Sequence, residues 1–346
     1  MSEIRALTAP SALPADVLFV SLGSTAGLRA VDDALAAAMQ RAGARVAMVR
    51  PSAPPAVRTM AGTDLMWALA ARRAAQQALR RHRPRAVLYG SMGAALLGPV
   101  PGAIRIDAAM AANRPGRHGI WQRPRERMLL RRCPLLVPQS AEALAETPTP
   151  RPAAVVVPPP IELGPEPGPW AERDVAAVTY ASDPHKKGLD RVLAAWARAR
   201  RDGERLVVCG APPGAVPSGV DWVHDAGSLD RAAFAALLRR ARTFVTAPRR
   251  EDHGLVQLEA LAAGCRVVTT PAPGAYVALG FLRAATPRWV VEDPEDPALL
   301  AQALRHAIDR PAGEEAEAAR TWVAERFSPS VVDATVADVL LPRLIG

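Results

Sequence analysis

The sequence predicts an α/β protein of two doubly wound domains, and three observations carry that expectation. Short apolar runs alternate with amphipathic helical stretches, a proline-dense segment at 147–170 interrupts them once, and the alternation then restarts. A chain of 346 residues is also longer than one ordinary core supports. With 49% hydrophobic and 22% charged residues, the composition is that of a soluble globular protein.

In the first half, 16–21 (DVLFVS) reads as a buried strand. A loop with Gly23 and Gly27 follows, then a helix over 29–42 with Gly43 as its C-cap, and a strand at 45–49. A long helix covers 64–82, and Pro84 separates it from a strand at 86–89. "GSMG" (90–93) opens another helix. A strand at 104–106, a loop rich in Asn, Arg and Gly at 113–119, a helix near 121–132 and a strand at 135–137 complete the half. The prolines of 147–170 flank one short apolar run, 154–157, and read as the linker. The second half has strands at 175–180, 205–209, near 221–223, 243–246 and 266–269, with helices at 188–201, 230–241 and 255–263. Two such domains are expected to face each other across a cleft. Ligands in open α/β sheets bind outside the carboxyl ends of the strands, which singles out loops 22–28, 90–93, 107–118, 181–188, 210–214 and 247–254.

Charge is uneven. Residues 1–160 hold 21 arginines against 9 acidic residues, whereas 161–346 hold 22 basic and 25 acidic residues. The cationic first half suits phosphorylated ligands or anionic lipid headgroups. Nucleic acid is not expected, because the arginines lack interleaved aromatics and no reader motif is present. An arginine-rich stretch, Arg123, Arg125, Arg127, Arg131 and Arg132, makes peripheral contact with an anionic membrane an expectation to test. No apolar run is long enough to span a bilayer, no signal peptide is evident, and three scattered cysteines suit a reducing, cytoplasmic setting. No Asp-x-Asp pair and no His/Cys cluster offers a metal site, so no metal and no resident cofactor are expected. The first strand is not followed by GxGxxG, which argues against a nicotinamide enzyme.

The stretch "REDHGLVQLEALAAGCRVV" (250–268) holds Glu251 and Glu259, eight positions apart. Glu251 falls in the loop after the 243–246 strand. Glu259 projects from the second turn of an otherwise apolar helix, where a carboxylate is costly unless something satisfies it. Two readings are open: hydroxyls of a ligand lying across the helix N-terminus, or a narrow polar stripe with Gln257 that meets an arginine. Only two lysines occur among 43 basic residues, and Lys186 and Lys187 are adjacent. Either an arginine-biased composition left them by chance, or this spot wants compact ammonium charge.

At these residues the chain resembles the family-4 retaining glycosyltransferases of GT-B fold, whose pattern is E-G-F-G-L-x-x-x-E-A-M-A-x-G-x-P-V-V. Both Glu, the Gly-Leu, the Glu-Ala, the Gly and the Val-Val fall in register. "HKKGLDRVLAAWARA" (185–199) is similar to the family's K-G-(L/M)-D segment, and "WVAERFS" (322–328) to its C-terminal run. The likeness covers 155 to the end and is only architectural before that.

The resemblance implies two Rossmann-like domains. An acceptor domain spans 1–160, a nucleotide-sugar donor domain spans 161–325, and a last helix at 326–346 crosses back to the first. It implies transfer of a sugar from a UDP- or GDP-linked donor to an acceptor hydroxyl (glycan, glycolipid or small molecule), with retention. A nucleotide-sugar epimerase of the same fold and a non-catalytic sugar-nucleotide-binding subunit are the alternatives. Glu259 would bind the ribose, Glu251 would sit by the transferred sugar, and His253, Gly254 and Leu255 would lie near sugar and diphosphate. Lys187 would pair with the diphosphate. The family's Arg five or six residues before that Lys is absent, with Ala181 and Ser182 there, so Lys186, Arg249 or Arg250 must assist. Asp252 and His253 replace the family's Gly and aromatic, which is where donor preference is expected. On the first domain, Asp107 is the expected catalytic partner, against the plainer reading of a loop or N-cap aspartate. Asn113, Arg114, Arg117 and His118 are expected on the acceptor side, against a solvated arginine loop. Gly23 would bring a backbone amide to phosphate or acceptor.

Overall fold

The computed structural model describes residues 13–55, 57–149, 151–311 and 313–346. The first twelve residues of the expected acceptor domain and Pro150 of the expected linker lie outside them. The chain divides into two units: one ends at Pro159 and resumes with Val332–Gly346, and the other is Pro160–Val331.

The first unit runs β1 (Leu13–Val20), α1 (Ala26–Arg41), β2 (Val46–Val49), α2 (Met60–Arg81), β3 (His82–Tyr89), α3 (Met92–Ala95), β4 (Ala103–Ile106), α4 (Met110–Asn113), α5 (Gln122–Leu130), β5 (Leu136–Pro138) and α6 (Ala141–Glu146). Its five strands are parallel in the order β2-β1-β3-β4-β5. The strand order reverses between β1 and β3, so the crevice lies beyond Ser21 and Gly90. Thr25 starts α1 by accepting the Leu28 amide, as an N-cap should.

Two differences from the sequence reading have local causes. Pro84 does not break β3: it pairs with Ala15 where β3 has β1 on one side and β4 joins only at Leu88, so its missing N–H is not needed. The helix expected after "GSMG" is a single turn capped by Ser91. In the proline-dense segment, Ala154 bridges Leu136 in parallel, while Val155 and Val157 donate to Leu136 and Pro138 and are buried in the first unit. That run therefore lines the edge of β5.

The second unit runs β6 (Val175–Tyr180), α7 (Leu189–Ala199), β7 (Leu206–Cys209), β8 (Val223–Gly227), α8 (Arg231–Arg240), β9 (Ala241–Thr246), α9 (Leu255–Ala262), β10 (Arg266–Thr269), α10 (Val277–Ala285), α11 (Pro297–Asp309) and α12 (Glu314–Phe327). Its strands are also parallel, ordered β10-β9-β6-β7-β8. The reversal falls between β6 and β9. Loops 181–188 and 247–254 thus leave neighbouring strands at the one place where the topology opens a crevice. α7 buries Leu189, Val192, Ala195, Trp196 and Ala199, a helical stripe packed on the sheet with α11.

The chain then passes through α13 (Pro329–Thr335), a π-helical turn at Val336–Leu340 and α14 (Leu341–Ile345). Val332, Val336, Leu340 and Leu341 are buried with Val17, Phe19 and Leu35 of the first unit.

Candidate functional site

In the second unit the two lysines meet two acids residue for residue. Gly188 takes φ +65°, and a methyl on it would run into the Ala247 carbonyl, so loop 181–188 lies tightly on the end of β9. That approach brings Lys187 Nζ to both carboxylate oxygens of Glu251, at 2.9 and 2.7 Å. Lys186 pairs with Asp252, whose other oxygen accepts from Arg250 Nε at 2.7 Å. Glu251 is only 3% exposed, and Gln257 Nε2 donates to it at 2.8 Å from the first turn of α9. Its backbone is fixed as well: its amide donates to the Pro273 carbonyl at 3.0 Å, and its carbonyl accepts from Tyr276 at 3.2 Å. Gly274, at φ +116°, makes that contact possible, because a methyl there would strike the Glu251 carbonyl.

Glu259 has a different environment. It is half-buried on α9, and no hydrogen bond or ion pair reaches its carboxylate among the described residues. Burial pushes its pKa above the ordinary value, with only the Arg231 charge opposing. Gly254 precedes α9 at φ +88°, with no side chain capping the helix, and Leu255 is the first helical residue. His253 is buried, and its carbonyl accepts from Val277. Ala181 is buried and Ser182 exposed. Arg249 is held by a two-pronged pair to Asp190 at 2.7 Å, which keeps that carboxyl down at about 2. The Arg249 amide also donates to the Lys186 carbonyl at 2.8 Å, while Arg250 and Lys186 both pair with Asp252.

The remaining expected residues belong to the first unit. Asp107 follows β4, half-buried, and its Oδ1 accepts from the Ala108 amide at 2.9 Å. Buried Glu126 caps the next turn through the amides of Met110 and Ala111 at 2.7 and 3.2 Å, and burial raises its pKa. Gly23 follows β1 at φ +64° and accepts from Arg29 through its carbonyl. Asn113 ends α4. Arg114 does not point into an open loop: it grips Asp64 of α2 with two bonds of 2.7 and 3.0 Å. Arg117 and His118 sit exposed on a 3₁₀ turn. Ser21, Asp32 and Arg105 form a buried polar cluster behind the first unit's crevice. Ser21 Oγ donates to Asp32 at 2.6 Å, and Arg105 lies 3.4 Å away at 1% exposure.

Three contributors escape the sequence reading. Asp252 stands out there only as a departure from a pattern, Gln257 only as part of a stripe, and the Gly274–Tyr276 loop not at all. Gln257 lies six residues beyond Glu251 across a left-handed glycine, a separation with no fixed period to signal it. Among the described residues, no three His, Cys, Asp or Glu side chains gather as a metal would need. No helix there is long and apolar enough to cross a membrane.

Residues 173–310 match the family described as Glycosyl transferases group 1. The chain resembles the GT-B glycosyltransferases in sequence and in fold. A glycogen synthase of Mycobacterium tuberculosis is 33% identical over 179 residues, which is 47% of this chain and 41% of that protein. The chain thus spans under half the length of that curated relative. Sucrose-phosphate synthase from Thermosynechococcus elongatus superposes with a TM-score of 0.73 at 16% identity, covering 95% of this chain and 98% of that one. HepE from Anabaena, solved with UDP and glucose, gives 0.69 at 13% identity over 94% and 99% of the two chains. The fold is GT-B: two parallel five-stranded Rossmann-like sheets with helices.

Proposed function

We propose that the protein is a retaining glycosyltransferase that moves a sugar from a nucleoside-diphosphate donor to an acceptor hydroxyl. The observation that carries this is the contrast along one short segment. Glu251 is held by Lys187 and Gln257, while Glu259, eight residues on, is a half-buried carboxylate with no partner among the described residues. A nucleotide lying across the N-terminus of α9 suits both: its ribose diol donates to Glu259, and its diphosphate faces the helix amides and the lysines. The Anabaena neighbour's UDP and glucose support a UDP-sugar as the first donor to try.

In this reaction the C1–oxygen bond to the diphosphate breaks, and Lys187 offsets the charge growing on the leaving oxygen. The acceptor hydroxyl attacks C1 from the same face and gives its proton to the departing phosphate. Glu251, fixed at its backbone and carboxylate, orients the sugar hydroxyls. No metal or resident cofactor enters the proposal. Asp107 with Asn113, Arg114, Arg117 and His118 are proposed to serve the acceptor side, Arg114 through the loop it ties to α2.

The test is donor turnover with Glu251→Gln. A fall of about a hundredfold in kcat or more is expected, and full turnover with the same donor would sink the assignment. The absence of an arginine at Ala181 or Ser182 favours one second reading, a sugar-nucleotide-binding subunit without turnover. It predicts donor binding and no release of nucleoside diphosphate with any acceptor. Peripheral attachment to an anionic membrane is proposed for the first unit. There Ile120 is 68% exposed beside Arg117 and His118, and Arg127, Arg131 and Arg132 lie on and just beyond α5, all three exposed.

A further inference from the structure

We propose that Asp252 is an internal counter-anion that occupies the cationic place a donor's diphosphate takes, so that the donor binds by displacing it. The inference rests on the donor-site reading above and concerns a residue that reading does not use. Asp252 has each carboxylate oxygen on a different cation, Lys186 and Arg250, and it is 14% exposed on its side chain. It is the neighbour of Glu251, which Lys187 holds in the same way. Three cations, Lys186, Lys187 and Arg250, thus face two carboxylates in the crevice between β6 and β9. Two helices also begin there, α7 and α9, each after a left-handed glycine and neither with a side-chain cap. Everything that would draw a diphosphate is present, and much of its charge is already neutralised from within.

The two pairs are not equivalent. The Glu251 carboxylate is held by Gln257 as well as by Lys187, on a backbone that Pro273 and Tyr276 fix, and it is nearly fully buried. Among the described residues, the side-chain bonds of Asp252 are those to Lys186 and Arg250. Both partners are long, flexible cations that can turn to a phosphate while the Asp252 carboxylate swings to water. A ligand with one negative charge only replaces what is there. A diphosphate brings more charge and more acceptor oxygens than one carboxylate, and displaces it. Asp252 thereby sets a charge threshold: nucleoside diphosphates and their sugars pass it, and nucleosides and monoanions do not.

The experiment is calorimetric titration of the full chain with UDP, GDP and inorganic pyrophosphate at low and high salt. Wild type is compared with Asp252→Asn, Lys186→Met and the double variant, and the ligand-free melting temperature of each is recorded. Asp252→Asn is expected to bind all three probes about tenfold more tightly than wild type, with a steeper loss of affinity in salt. Lys186→Met is expected to cost more affinity when combined with Asp252→Asn than on its own, because without the carboxylate Lys186 answers to the ligand alone. Equal or weaker binding by a folded Asp252→Asn variant overturns the proposal, and it leaves the donor site standing if wild type binds. Failure of both proteins to bind any probe removes the donor-site reading and the proposal with it. A merely structural Asp252 would lower the melting temperature and would not raise affinity.

Discussion

Glu259→Gln separates stability from binding. In the ligand-free protein a half-buried carboxylate without a hydrogen-bond partner costs about 1–3 kcal/mol. Partial solvent contact and the Arg231 charge place Glu259 at the lower end, about 1 kcal/mol. The amide carries no charge to desolvate, so the variant should melt roughly 2–4 °C higher at neutral pH. The pH dependence follows from the raised pKa. Across the window between the unfolded and folded values, the folded protein holds more protons than the unfolded chain. Wild-type stability therefore falls as pH rises through that window, and the full cost is present above the folded pKa. Glu259→Gln lacks this slope, so the two curves converge at acid pH. With a nucleoside diphosphate the order reverses. Loss of charge-assisted bonds to two hydroxyls costs about 1.5–3 kcal/mol, or roughly ten- to a hundredfold in Kd. Scanning calorimetry over pH, with and without UDP or GDP, reads both arms. A variant that is less stable than wild type at every pH would refute the reasoning, because Glu259 would then have a partner inside the protein.

Gly274→Ala should cost more than about 1 kcal/mol through its positive φ and its clash with the Glu251 carbonyl. It should also cut turnover by displacing Glu251, whereas Gly280→Ala, with open space in α10, should be neutral or stabilising; urea melts and donor assays compare them. Asp32→Asn strands the buried Arg105 guanidinium and should destabilise the first unit by about 3–5 kcal/mol, with much of that recovered in Asp32→Asn/Arg105→Met by urea denaturation. Sedimentation with anionic vesicles should capture the protein at low salt. Replacing Arg127, Arg131 and Arg132 by Gln should weaken capture about a hundredfold at roughly 1 kcal/mol per charge, and no capture by wild type removes the membrane proposal.

The strands were legible because most are apolar runs of a few residues, and runs of that kind survive in parallel sheets buried on both faces. Their edges were not. β3 begins at His82 although His82, Arg83, Pro84 and Arg85 carry no apolar signal, because pairing with β1 imposes the extension. At the site, the sequence marks which residue types are present and on which loops. Adjacency of Lys186–Lys187 with Glu251–Asp252 comes from strand order, β9 beside β6, and strand order is a property of the whole sheet. The left-handed turns at Gly188, Gly254 and Gly274 have the same origin. Glycine permits them, but only the neighbouring carbonyl or helix end requires them.

The route of the chain through the first unit has a consequence for biosynthesis. Its core closes only when Val332, Val336, Leu340 and Leu341 reach Val17 and Phe19, on a strand made far earlier. The second unit has all its residues once Val331 is made. During synthesis the earlier-encoded sheet therefore waits, with an apolar flank uncovered, until Val332 to Leu341 have left the ribosome. A released chain ending at Val331 should show a protease-resistant second unit and a sensitive first one. The strand made first is among the last to be sealed.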